Sequence, residues 1–197
     1  VELVYLHHCN FGKDGEYFDE ALDVLTNFKN QGRLRFIGLS DWSNSRIMKY
    51  IEMCDPDVVQ PYRNVMDDGF IKSGLCSYVN KNNLGVCFFS PIKHGLLTGK
   101  YDKPTSFELG DHRSGVKDFA DQKVIDKMKQ NKLLLEKRFT EHKHPVMRGL
   151  VDALFNDAKS GCVLLGQRNV DQVNVASTLG EPMDEKDSAW VKSLYHH

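Results

Sequence analysis

The chain has 197 residues, 41% of them hydrophobic, which suits one domain of ordinary size with a packed core and excludes wholesale disorder. A formal net charge of -1 gives no bulk pull toward nucleic acid or an anionic membrane, and no apolar run approaches the roughly 20 residues of a membrane-spanning helix. The cysteines (Cys9, Cys54, Cys76, Cys87 and Cys162) are odd in number, dispersed and free of any CxxC pair, so reduced thiols in a cytoplasmic protein are expected, with no disulfide framework and no metal centre.

The chain opens as "VELVYLHH", already in a strand pattern and without a methionine, so a preceding segment is expected. The closing His196 and His197 read equally as the stump of a purification tag or as a natural end. Leu3–His7 is the first strand. "YFDEALDVLTNFKNQG" follows as a helix, with Phe18, Ala21, Leu22, Leu25 and Phe28 on one stripe and Gly32 at its C-terminal stop. Leu34–Ser40 is the second strand. "SNSRIMKYIEMC" is the next helix, entered through serines and carrying Ile47, Ile51 and Met53. Asp57–Pro61 is the third strand, "IKSGLCSYVNKNN" a helix, and Gly85–Ser90 the fourth strand. Residues 101–119 read as a long surface loop. Two helical patterns follow, "DQKVIDKMKQNKLLLEKRF" and, with Pro145 at its start, "PVMRGLVDALFNDAKS". Cys162–Gly166 is the fifth strand. "NVDQVNVASTLG" is a helix with Asn169 as its N-cap.

Strands alternating with helices imply a parallel α/β architecture, and strands that read as unbroken apolar runs imply cover on both faces. Five such units are too few for a closed barrel of eight and enough for an open doubly wound sheet. No GxGxxG follows any strand, so a Rossmann fingerprint is absent. Polar residues gather instead at the carboxyl ends of the strands: His7, Ser40 with Asp41, Gln60, Ser90, and the Gly166-Gln167-Arg168 turn. In an eight-fold barrel that rim carries the chemistry.

"LVYLHH", "GRLRFIGLSDWS", "DVVQPYRN", "FFSPIKHGLLTGKY" and "LLGQRNVDQV" occur in this order, and together they resemble strands four to eight of the aldo-keto reductases. The branch most resembled holds bacterial reductases and the potassium-channel β subunits. The resemblance implies a fold: residues 1–197 would be one domain, the larger C-terminal part of a (β/α)8 TIM barrel, with strands one to three lying outside this chain. It implies NADP(H) as cofactor and a small-molecule carbonyl as substrate, with no nucleic acid and no membrane partner. Open barrel edges at the first and fifth strands would invite association, with a second copy or with an unknown partner.

The same resemblance gives the site residues their roles. His7 would donate a hydrogen bond to the substrate carbonyl, while His8, one position on, should face the opposite side of the strand. Ser40, Asp41 and Gln60 would hold the nicotinamide carboxamide. Asp41 stands where the family has Asn, and the competing reading makes it a cap for the next helix. Phe89 would stack on the nicotinamide ring. Ser90, Pro91, Ile92, Gly95, Leu97 and Lys100 would form the loop at the pyrophosphate and ribose, with His94 at its rim. Arg113, from the long loop, would reach over the cofactor, or else stand solvated. Gly166, Arg168 and Gln172 would take the adenosine end, Arg168 favouring a 2'-phosphate and hence NADP. Val175 and Ala176 depart from the family's Glu-Asn, so the adenine contact would differ.

The family's proton-donating Tyr, with its Lys and Asp, comes from the first strands, and neither Tyr5 nor Tyr62 matches it. The expected activity is reduction of an aldehyde or ketone by hydride transfer. The alternative is a cofactor-binding module that senses redox state with little turnover, and a further alternative is a lyase or isomerase on the same barrel. His142 and His144 alternate without nearby ligand partners, so they read as structural.

Overall fold

A computed structural model describes residues 1–158 and 160–196. In chain order the elements are β1 (Leu3–His7), α1 (Phe18–Asn30), β2 (Phe36–Asp41), α2 (Asn44–Cys54), β3 (Val58–Pro61), α3 (Gly69–Lys72), α4 (Leu75–Asn82), β4 (Gly85–Phe88), α5 (Gln122–Arg138), α6 (Pro145–Met147), β5 (Gly161–Val163), α7 (Val170–Ala176) and α8 (Glu185–Tyr195). They fall into two compact units. The first comprises Val1–Arg63, Asp67–Phe89 and Ala158–Leu164, and the second Asn64–Met66, Ser90–Asp157 and Leu165–His197.

All five strands lie in the first unit and form one parallel sheet in the order β1-β2-β3-β4-β5. Each strand lies beside its sequence neighbour, the order of a (β/α)8 barrel. The sheet is open: among the described residues β1 pairs only with β2, and β5 only with β4.

Strand side chains alternate, so the register sorts them onto two faces. One face carries Ile37, Leu39, Val59, Val86 and Phe88, each at most 5% exposed. These pack with Ile47 and Ile51 of α2, Phe70 of α3, and Leu75 and Val79 of α4, all likewise buried. The Phe70 and Phe88 rings meet edge to face, 5.0 Å apart. The other face carries Tyr5, Gly38, Ser40, Gln60, Cys87 and Cys162. Tyr5 lies so closely on Gly38 that a β-carbon there would come within 2.5 Å of its ring. On this second face Ser40 and Cys87 are buried, while Phe36 and Leu164 are exposed.

Local details depart from the sequence reading where one residue overrides a pattern. The helix expected after the third strand is split into α3 and α4 because Gly74, at φ 84°, takes the left-handed backbone between them. In α2 the buried stripe runs Ile47, Tyr50, Ile51 and Cys54, the 3.6-residue period, which leaves Met53 exposed. In α1 Phe18 is buried, while Phe28 is exposed. Gly32, at φ 70°, follows the end of α1 as expected.

The second unit is built on α5, whose buried Ile125, Met128, Asn131 and Leu135 form one inward stripe. Helix α8, which the sequence reading passed over, begins at an Asp184 cap that accepts from the Lys186 and Asp187 amides. It docks through Tyr195, whose hydroxyl donates to the Leu97 carbonyl at 3.2 Å, and through Asn131, whose amide donates to the Leu194 carbonyl at 3.0 Å. The segment starting at Pro145 is not one regular helix. It widens to a π-helical turn at Arg148–Asp152 and tightens to a 3-10 turn at Ala153–Asn156. Residues 101–119 contain 3-10 turns at His112–Gly115 and Lys117–Ala120, held over a cluster of the Tyr101, Phe107 and Phe119 rings.

Candidate functional site

In the first unit the sheet register aligns three polar side chains. His7 is the partner of Ser40 across β1 and β2, and Ser40 is the partner of Gln60 across β2 and β3. The three stand in one row at the carboxyl ends of the strands and point to one face. Ser40 is buried, Gln60 is half-buried and His7 is exposed. The Gln60 amide, able to donate and accept at once, makes no side-chain hydrogen bond among the described residues.

Next along the rim, Tyr62 bridges to Phe89. Phe89, Tyr62 and Trp42 form an aromatic cluster, with Trp42 to Phe89 at 4.9 Å edge to face, Tyr62 to Phe89 at 5.6 Å and Trp42 to Tyr62 at 5.1 Å. Trp42 is 49% exposed. The sequence reading singled out Phe89 and missed Trp42. The signal was present, since "SDW", "QPY" and "CFF" each place an aromatic residue at or just past a strand end.

Asp41 turns away from the Ser40 face. Its Oδ2 accepts from the Cys9 amide at 2.8 Å and its Oδ1 from the Ser43 amide at 2.6 Å, with Arg46 at 3.9 Å. These bonds tie the β1 loop to the start of α2. Its charge is felt locally: burial, then Asp41, push the Cys9 thiol up to about 12. His8 also departs from expectation. Its φ of 59° ends the strand alternation, and its ring lies 4.1 Å from that of His7.

In the second unit the loop after β4 is shaped by a run of left-handed residues: Ser90, Lys93, His94, Gly95 and Gly99 all have positive φ. Asn64 donates to the Ser90 carbonyl at 3.4 Å, and Thr98 donates to the Gly95 carbonyl at 2.7 Å. Lys93 is anchored to Asp118 at 2.5 Å. Pro91 is buried and Ile92 half-buried. Lys100 is exposed and folds back on the loop, its ammonium 3.1 Å from where a β-carbon on Gly95 would stand. Leu97 belongs elsewhere. Its side chain is fully buried and its carbonyl is taken by Tyr195, so it supports the loop from the core and offers no surface to a ligand. His94 is held below its ordinary pKa, first by burial and then by the charges of His112 and Arg113.

Arg113 is not a solvated side chain. Its Nε lies 3.0 and 3.1 Å from the two Asp111 oxygens, its Nη2 lies 2.5 Å from Oδ2, and its guanidinium covers the Phe107 ring at 4.1 Å. The Arg113 guanidinium, then its amide, hold the Asp111 carboxyl well below the usual range. In the turn before α7, Gln172 accepts from the Arg168 amide at 2.6 Å, while the Asn169 side chain caps Gln172 at 3.0 Å. The Gln172 side chain is thus committed to the turn, and the exposed Arg168 is the charged group that the turn presents. Gly166 has open space where a side chain would stand.

His142 accepts from the His144 amide through Nδ1 at 3.0 Å, so its Nε2 carries the proton and donates to the Thr178 carbonyl at 3.0 Å. Both nitrogens are engaged with backbone, and no cluster of metal-binding side chains occurs among the described residues. No helix among them is long and apolar enough to cross a membrane.

The family model described as "Aldo/keto reductase family" matches residues 1–195. The L-glyceraldehyde 3-phosphate reductase of Escherichia coli (strain K12) is 26% identical over 180 residues, covering 88% of this chain and 51% of that protein. The glycerol dehydrogenase AKR11B4 of Gluconobacter oxydans superposes with a TM-score of 0.80 at 24% identity, over 98% of this chain and 58% of its own. The aldo-keto reductase AKR2E5 of the silkworm, Bombyx mori, complexed with NADPH, superposes with a TM-score of 0.64 at 16% identity, over 100% of this chain and 54% of its own. The chain thus spans about half the length of the curated relatives it matches.

Proposed function

The chain belongs to the aldo/keto reductase family, and on that premise we propose that the whole protein reduces an aldehyde or ketone to the alcohol with NADPH. The observation that carries this reading is the row His7, Ser40 and Gln60, set by the register of three adjacent strands. NADPH, when bound, supplies the hydride. The Ser40 hydroxyl and the Gln60 amide would hold its carboxamide, and the Phe89 ring would cover one face of the nicotinamide and leave the other free. The exposed His7 imidazole would donate to the substrate oxygen and polarise the carbonyl. Neutralising the alkoxide needs a proton donor, a role that no residue of this chain is assigned.

The groups proposed for the phosphates all belong to the second unit. Ser90, Pro91, Ile92 and Gly95 would form the loop at the phosphates, and Lys100 would supply a point charge. Arg168 and Arg113 would favour the 2'-phosphate, with Gly166 and Gln172 shaping the turn beside Arg168. Arg113 would first have to exchange its Asp111 partner. Asp41 and Leu97 enter this reading as supports and not as contacts. Five free cysteines suit a reducing, cytoplasmic compartment.

The test is a titration of the full protein with NADPH, followed by protein fluorescence. Trp42 lies 4.9 Å from Phe89 and reports on that end. Saturable quenching together with consumption of NADPH on adding an aldehyde supports the reading. Quenching without turnover would favour the cofactor-sensing alternative, and no binding would remove both.

A further inference from the structure

Cys87 of β4 and Cys162 of β5 are direct partners across the parallel ladder, so their side chains leave the sheet on the same face. Their sulfurs lie 3.2 Å apart, and both are free thiols. Partner α-carbons on neighbouring strands stand about 4.8 Å apart, inside the 4.4–6.8 Å span of disulfides. A bond between them therefore needs side-chain rotation and no movement of either strand. The pair is asymmetric. Cys87 is buried and Cys162 is exposed. The phenol of Tyr5 lies beside both sulfurs on the same face.

We propose that Cys87 and Cys162 form a reversible redox site that hydrogen peroxide converts to a cross-strand disulfide. The exposed Cys162 sulfur attacks one peroxide oxygen, the O–O bond breaks, and a sulfenic acid and one water form. The Cys87 sulfur then attacks the sulfenic sulfur. The S–O bond breaks, and the oxygen leaves as a second water with the proton of the Cys87 thiol. In sum, two thiols lose two electrons and two hydrogens, and one peroxide becomes two waters. The order of attack follows from the environment. Burial pushes the Cys87 thiol up to about 12, so it stays protonated at neutral pH and acts second.

The bond would staple β5, a strand of three residues at the sheet edge, to β4. It would also fix the backbone two residues before Phe89, on the same face of that strand. The site rests on the two sulfurs alone and holds whether or not the cofactor reading does.

The experiment treats the reduced full protein with hydrogen peroxide, alkylates it in denaturant and maps its peptides by mass spectrometry. The expected result is a Cys87–Cys162 cross-linked peptide two hydrogens lighter than the sum of its parts, reversed by a dithiol. Cys9 and Cys54, both buried, remain alkylated. In Cys162→Ser the buried Cys87 should stay alkylatable after peroxide. In Cys87→Ala a sulfenic acid should accumulate on Cys162 and be trapped by a dimedone-type probe. Full alkylation of both residues after peroxide, or a sulfinic acid on Cys162 beside an untouched Cys87 in the unmutated protein, would overturn the proposal.

Discussion

The ammonium of Lys100 occupies the space beside Gly95 that a side chain would need, 3.1 Å from the ideal position of its β-carbon. Gly95 also holds φ at 89°, which L side chains rarely adopt. The two facts separate two mutations. Gly95→Ala should cost roughly 1–2 kcal/mol in backbone strain and displace the lysine as well. Its melting temperature should fall by about 2–8 °C, and its affinity for NADPH should fall with it. Lys100→Ala removes an exposed charge and leaves the backbone alone. It should weaken NADPH binding by about tenfold, the order of one charge-assisted hydrogen bond, with the melting temperature unchanged. Thermal melts and fluorescence titration of both variants decide it. An unaltered affinity in Lys100→Ala would remove the lysine from the proposed phosphate loop.

Much of the unit that holds the sheet was legible because strand and helix periods differ so sharply. Leu3–His7 is found at its expected bounds, and the other four strands and their following helices are in place. Two things were not legible. Asp41 reads as either clamp or brace from sequence, since both need a carboxylate at a strand end. Only the direction of its side chain, toward the Cys9 and Ser43 amides, separates them. Leu97 lies in a loop motif, but its carbonyl is taken by Tyr195 of α8, which is distant in sequence. Helix α8 itself carried a visible signal, Asp184 before an apolar-periodic run, and was passed over. The partner of Arg113 lies two residues away, near enough to have been suggested by the sequence alone.

Phe89 should tolerate a change that keeps its ring and suffer from one that removes it. Stacking of an aromatic pair contributes about 0.5–1.5 kcal/mol beyond area burial. Phe89→Ala should therefore weaken nicotinamide binding by about two- to tenfold, while Phe89→Tyr should not. Because Trp42 and Tyr62 also pack on this ring, the alanine variant should change the Trp fluorescence of the free protein too. The discriminating measurement is NADPH affinity in the three proteins. If Phe89→Tyr binds as poorly as Phe89→Ala, the site contributes something other than a ring face.

His7→Asn should separate binding from chemistry. The imidazole is exposed, so its loss leaves the core intact and the NADPH affinity unchanged. A positioned donor to the reacting carbonyl is worth about 10²–10⁴ in rate, and kcat for aldehyde reduction by the full protein should fall within that range. Steady-state rates with a small aldehyde, measured beside the NADPH titration, test the split. A variant that keeps its rate and loses cofactor affinity would move His7 from the substrate to the cofactor.

His94 gives the second unit a dependence on pH near neutrality. Burial, and after it the charges of His112 and Arg113, hold its imidazole below the ordinary value of 6.5, with Lys93 acting the same way and Asp111 opposing. A depressed folded value means that the folded chain binds fewer protons than the unfolded chain in the interval below 6.5. Stability is then present in full above 6.5 and is lost as pH falls through the depressed value. His94→Asn suits the left-handed backbone at φ 55° and removes the titrating group. Melting temperatures of the parent should fall between pH 7 and pH 5, and those of His94→Asn should fall less, as differential scanning across that range would measure. Parallel curves for the two proteins would assign the acid sensitivity to another group.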